Sequence, residues 1–138
     1  MKTPDFIEPF VGWKGLLADD QGRLFSPIDH EEWPAGEPMV ADRVPEARNS
    51  NGIYAVKTYE SLKENQYHWQ NEPNGKVWVL AELNLWGSIR RGQIGYCAEF
   101  AYPRKIWVSP RQNKIGRLIR GRYDVPLGLI DRFTGRRI

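Results

Sequence analysis

The sequence predicts an α+β domain: a mainly antiparallel sheet of about five strands, one helix and a basic C-terminal extension. Three observations carry this. Residues 77–86 alternate strictly, with Val77, Val79, Ala81, Leu83 and Leu85 on one face and Trp78, Leu80, Glu82, Asn84 and Trp86 on the other. A second alternating run, Ile94, Tyr96, Ala98, Phe100 and Tyr102, follows the turn Arg90-Arg91-Gly92-Gln93 and pairs back on the first. Between residues 58 and 69 the spacing changes, with Tyr59, Leu62, Gln66 and Trp69 at i, i+3, i+7 and i+10.

The elements follow in order. Gly12–Ala18 reads as a strand, Asp19-Asp20-Gln21-Gly22 as a turn in which Gly22 takes positive φ, and Arg23–Ser26 as the returning strand that Pro27 ends. Residues 27–51 hold five prolines and glycines among acids and keep no period, so they read as a long surface loop pinned by Trp33. Asn51–Val56 is a strand entered through a turn. Thr58 then caps the helix, because its hydroxyl accepts an orphan N–H of the first turn. Asn71-Glu72-Pro73-Asn74-Gly75 is a turn, Gly87 closes the strand after it, and Pro103 breaks the next one, leaving Ile106–Val108 as a short continuation. After Pro110, Ile115, Leu118 and Ile119 fall at i, i+3 and i+4 among cations, the pattern of a short basic amphipathic helix, in which Gly116 and Gly121 each cost about 1 kcal/mol relative to Ala. Pro126 and Gly128 stop it, and Val125, Leu127, Leu129 and Ile130 form a docking segment. The domain therefore spans 1–110 and the extension 111–138.

Charge divides the chain more sharply than its net +3 suggests. Residues 1–89 hold 8 Lys/Arg and 14 Asp/Glu, a net of −6, whereas residues 90–138 hold 12 and 3, a net of +9. Such asymmetry points to an acidic or polyanionic partner for the basic part, or to its docking on the chain's own acids. The basic residues Lys105, Arg111, Lys114, Arg117, Arg120, Arg122, Arg136 and Arg137, interleaved with Trp107 and Tyr123, supply cations for a backbone and ring faces for bases, as single-stranded nucleic acid requires. An acidic protein surface asks for the same cations.

Other chemistries find little support. No apolar run approaches the roughly 18 residues that span a bilayer, and no apolar stretch follows Lys2, so neither a membrane span nor a secretory signal is expected. Cys97 is the sole cysteine, which excludes an intramolecular disulfide, fits a reducing cytoplasm and reads as a buried, inert thiol. His30 and His68 are far apart and no metal-ligand spacing occurs, so no metal is expected. Phosphate-binding glycine loops and the G-x-S-x-G nucleophile motif are missing from the sequence.

Three stretches together carry a resemblance: Gly12-Trp13-Lys14-Gly15 with Leu24–Pro27 and Trp33-Pro34; Gly52-Ile53-Tyr54-Ala55; and Leu85-Trp86-Gly87 with Gly95–Pro103. Over residues 10–108 the chain resembles a family of small bacterial and bacteriophage proteins. That resemblance implies a non-enzymatic binding protein, such as a phage-type inhibitor or regulator of a host nucleoprotein with an anti-defence, anti-CRISPR-like role. A remoter likeness is to ADP-ribosyltransferases, in which a Gly-x-Tyr-x-Ala strand leads into a helix and a late strand supplies a catalytic Glu. This likeness implies an NAD cofactor with Tyr54 and Glu99 as catalytic residues. The first strand departs from it, offering Trp13-Lys14-Gly15 where a His-Gly or Arg-Gly pair holds the dinucleotide.

Overall fold

In the computed structural model, residues 3–4, 8–45, 51–64 and 75–131 are described. Seven strands and two helices follow one another as β1 (Phe10–Ala18), β2 (Leu24–Phe25), β3 (Met39–Val40), β4 (Ile53–Val56), α1 (Tyr59–Glu64), β5 (Val77–Arg91), β6 (Gly95–Val108), a 3-10 turn at Pro110–Gln112, α2 (Asn113–Tyr123) and β7 (Leu127–Leu129). The class is α+β, as the sequence predicts, but the sheet has seven strands and is mixed. Every pairing is antiparallel except β6 with β7, where Ile106 lies beside Leu127 and Val108 beside Leu129.

The pairings close a ring. β1 pairs with β5 along its whole length, β5 with β6, β6 with β4, and β4 returns to β1 through one bridge, Trp13 to Val56. A ring of so few strands leaves little room inside. The inward positions are accordingly small: Ala55, Ala81, Ala98 and Ala101 are buried. A methyl group added at Gly12 would stand 2.8 Å from the Ala55 side chain. Val79, Leu83 and Leu85 complete the inner face predicted from β5 alternation, and all three are fully buried. The opposite face of β5 is more covered than its mixed composition suggests. Trp78, Leu80 and Trp86 are buried, and Leu80 joins Val56, Leu62, Trp107 and Ile130 in a second, smaller core.

Local chemistry accounts for the turns. Asp19 closes the β1–β2 connection by accepting from the Gln21 and Arg23 N–H groups and pairing with the Arg23 guanidinium at 2.7 Å. Burial alone would raise its pKa, but those hydrogen bonds and the guanidinium outweigh burial and hold the carboxyl below its ordinary value. Gly22 has φ +76°, the conformation expected of it. Thr58 caps α1, its hydroxyl accepting from Ser61 N–H at 3.2 Å. The part of the expected helix beyond residue 64, with Gln66 and Trp69, lies outside the described residues, as do residues 71–74 of the following turn.

Four expectations are corrected. Gly87 does not close its strand: β5 continues to Arg91 through an irregularity between Trp86 and Ile89, and Arg90 and Arg91 pair with Cys97 and Tyr96 rather than forming a turn. Pro103 does not break β6. A register shift beside it, between Glu82 and Leu83, leaves Arg104 without a partner residue and lets the strand run on. The long loop contains β3, with Met39 beside Ala101, while Trp33 pins it as predicted: its N–H donates to Leu24 O at 2.8 Å and its indole to Ser26 at 2.9 Å. Finally, residues 113–130 are not appended to the sheet but built onto it. Ile119, Tyr123 and Val125 enter the main core beside Ile106 and Val108. Gly116 permits the approach, since a methyl group there would meet Leu127 at 2.9 Å and Val108 at 3.0 Å.

Tyr123 fastens this helix. Its hydroxyl donates to Trp33 O at 2.6 Å and accepts from Leu24 N–H at 2.9 Å, and its own carbonyl accepts from the Tyr102 hydroxyl at 2.9 Å. Burial pushes the phenol up to about 12, and the Glu32 carboxylate adds to this while the Leu24 N–H opposes it. Tyr123→Phe leaves a buried N–H and a buried carbonyl unpaired, at about 1–3 kcal/mol each. Because the folded-state value lies above the unfolded value near 10, the phenol's contribution is complete below about pH 10 and disappears as pH climbs toward 12. Urea titrations should therefore give a wild type–Tyr123→Phe difference that is flat at neutral pH and shrinks across that window.

Candidate functional site

The underside of α2 determines what its upper side can do. Gly116, Ile119 and Tyr123 face the sheet, which turns Lys114, Arg117, Leu118 and Arg120 to solvent. Arg111, one turn earlier, is exposed as well. α2 itself carries four cations and no acid. The side chains of Arg111, Lys114, Arg117 and Arg120 make no ion pair or hydrogen bond with any described residue, whereas Arg122 donates from Nε to Gln21 O at 3.3 Å. Leu118, 41% exposed, sits among them as the one large apolar group on this ridge. The ridge is thus a row of guanidinium and ammonium groups on a helix whose position the core fixes.

The other residues expected at the basic surface lie elsewhere. Tyr123 is in the core. Trp107 is buried on the face of β6 opposite α2, in the smaller core with Leu80 and Val56, and its indole reaches Glu82 at 3.3 Å. Lys105 lies on that face too, its amine 4.2 Å from the centre of the Trp107 ring. The two aromatic rings expected to stack bases are therefore structural, and the ridge has no ring face from either. Arg136 and Arg137 lie outside the described residues.

Tyr54 and Glu99 do not converge on one cleft. Tyr54 is 48% exposed on β4, opposite Cys97. The carboxylate of Glu99 accepts from Ser88 N–H at 3.0 Å, which commits it to the β5 irregularity, and it lines neither of the clefts that Tyr54 lines. Cys97 is buried, as expected. Among the described residues, no group of three His, Cys, Asp or Glu side chains is placed to hold a metal ion, and no helix is long and apolar enough to cross a membrane.

Sequence reasoning missed a second feature, at the single bridge where β1 and β4 meet. Lys14 stands in this gap, its amine donating to Tyr54 O at 2.9 Å. A cleft opens on each side of it. One, of ≈290 Å³, is lined by Trp33, Met39 and the acids Asp29, Glu31 and Asp42. The other, of ≈480 Å³, is lined by Trp13, Tyr54, Val56, Leu62 and Trp78. Burial pulls the Lys14 amine below the ordinary lysine range, with Asp29 and Cys97 acting in the opposite direction. Desolvation and the neighbouring Asp42 and Asp29 push the Glu31 carboxyl up. The only sequence signal was a lysine inside an otherwise apolar strand.

No protein family, no curated protein and no solved structure matches the chain.

The division of α2 into a buried and a free face has a direct consequence for stability. Arg117→Ala and Arg120→Ala should each change unfolding free energy by less than about 0.5 kcal/mol. Ile119→Ala, at a fully buried core position, should cost about 2–5 kcal/mol. Denaturant midpoints of the three variants, at an unchanged slope, check this.

Proposed function

We propose that the protein is a binding protein that docks on an acidic protein surface through the outer face of α2. The observation that carries the reading is the set Arg111, Lys114, Arg117 and Arg120, exposed and without a partner among the described residues. Charges of one sign held on a fixed helix repel one another, and an opposing carboxylate surface relieves that repulsion while speeding encounter. Leu118 supplies an apolar contact at the centre of the ridge, where a protein partner offers a complement and a phosphate backbone does not. The burial of Trp107 and Tyr123 also favours a protein partner over single-stranded nucleic acid, since stacking supplies much of the affinity in the latter mode. The setting we propose, inhibition or regulation of a host nucleoprotein, rests on the sequence resemblance to bacteriophage proteins. An enzymatic reading through Tyr54, Glu99 and NAD gains nothing from the positions of those two residues.

Binding to poly-L-glutamate and to a single-stranded oligonucleotide, each measured across salt concentrations, tests this reading. Arg117→Glu with Arg120→Glu should weaken poly-L-glutamate binding by at least about tenfold, because two attractive contacts become repulsive. Affinity should fall steeply with salt, as exposed charges are screened. Binding that neither the double reversal nor salt changes would overturn the proposal. A preference for the oligonucleotide, with a log–log salt slope near the value for the four ridge cations, would replace the protein partner with nucleic acid.

A further inference from the structure

The larger cleft beside Lys14 has a composition of its own. Trp13 and Trp78 come from β1 and β5, Val56 from β4 and Leu62 from α1, and Tyr54 forms part of the rim. Its volume of ≈480 Å³ falls within the range of small-molecule sites. Lys14 is the one charged side chain among the described residues that line it. The lysine ammonium has three donors. Tyr54 O takes one, and no other described residue accepts from the amine. The acids Asp29, Glu31 and Asp42 line the adjoining smaller cleft, which shares Lys14, Pro27, Ile28 and Tyr54 with this one, and none of the three lines this one.

A second observation concerns the mouth. Ile28 is 93% exposed and Ile94 56% exposed, and both line the cleft with the half-exposed Tyr54. Large apolar side chains gathered in the open around a concave apolar floor mark a place where apolar matter is received. An apolar floor ending in a single half-buried cation with spare donors suits one kind of molecule. The body must be hydrocarbon or aromatic, and one end must be an anion able to accept two hydrogen bonds.

We propose that this cleft binds a small apolar monocarboxylic acid, its body against Trp13, Val56, Leu62 and Trp78 and its carboxylate on the Lys14 amine. The site is separate from the α2 ridge and does not depend on it. Binding restores to the amine the stabilisation of its charged form that burial removes. The carboxylate is drawn to this end of the cleft because no other described lining residue is charged.

Decanoate, decanol and decylamine, kept below their aggregation concentrations, separate the contribution of the charge from that of the chain. Titrations of the full-length protein would be followed by tryptophan fluorescence, since Trp13 and Trp78 line the site, and by calorimetry. Decanoate should bind at least tenfold more tightly than decanol, and decylamine more weakly than either. Lys14→Met should reduce decanoate to the affinity of decanol while leaving decanol unchanged. Since Lys14 also bridges β1 and β4, a second variant avoids the question of folding: Ile94→Glu, at an exposed rim position, should weaken decanoate by at least fivefold and spare decanol. Equal affinity for the three compounds, no binding of any of them, or decanoate binding that neither variant changes would overturn the proposal. Dimerisation that Ile94→Glu abolishes, without decanoate binding, would overturn it in favour of a second copy of the chain as occupant.

Discussion

The phenol of Tyr123 ties together parts of the chain that are remote in sequence. It is hydrogen-bonded to Trp33 O and Leu24 N–H, and its backbone carbonyl receives the Tyr102 hydroxyl. Trp33 is thereby held over β2, the 27–45 segment over the sheet, and the C-terminal end of α2 over β6. Each of these polar groups is buried, and a buried N–H or carbonyl without a partner is costly, so the arrangement tolerates few alternatives. The consequence for function is geometric. With Gly116, Ile119 and Tyr123 committed to the sheet and Ile115 packed at its edge, Lys114, Arg117, Leu118 and Arg120 face water. The basic segment is held on the sheet with Lys114, Arg117 and Arg120 turned outward.

The same economy is visible in the ring of strands. Closing four strands is possible only because Gly12, Ala55, Ala81 and Ala98 leave the interior narrow. The weakest link is the single Trp13–Val56 bridge, and Lys14 strengthens it by donating to Tyr54 O. A lysine is poorly suited to an apolar interior, and the protein keeps it at a gap with a cleft on either side. The site on α2 and the clefts at the β1–β4 seam therefore have different origins: one is what a helix exposes after packing, the other what a sheet leaves open in closing.

Local order was legible in the sequence wherever a periodic signal was long or a cap was local. The alternation of β5 placed Val79, Ala81, Leu83 and Leu85 inside, and Thr58 and Asp19 act within a few residues of themselves. Features set by distant partners were not legible. Gly116 reads locally as a cost to a helix, yet it is the point where α2 touches Val108 and Leu127. The spacing of Ile115, Leu118 and Ile119 suggested a buried stripe, but packing through Gly116 rotates that stripe and leaves Leu118 in the open. Tyr123, flanked by Arg122 and other cations, looked like a stacking ring because its hydroxyl partners lie 90 and 99 residues earlier in the chain. Pro103 looked like a strand end because the register shift that accommodates it depends on β5. Lys14 gave no sign of its cleft, which exists only once β1 and β4 have met.

The account rests on α2 being an anchored part of the domain, so that its cations are presented rather than merely tethered. Amide hydrogen exchange of the full chain measures this directly. The account predicts that the amides of Arg120, Arg122 and Tyr123, together with that of Leu24, exchange as slowly as those of the β5–β6 pairing, because releasing them requires opening the core. Exchange across residues 113–123 at the rate of an unstructured segment, with β5 and β6 still protected, would contradict it.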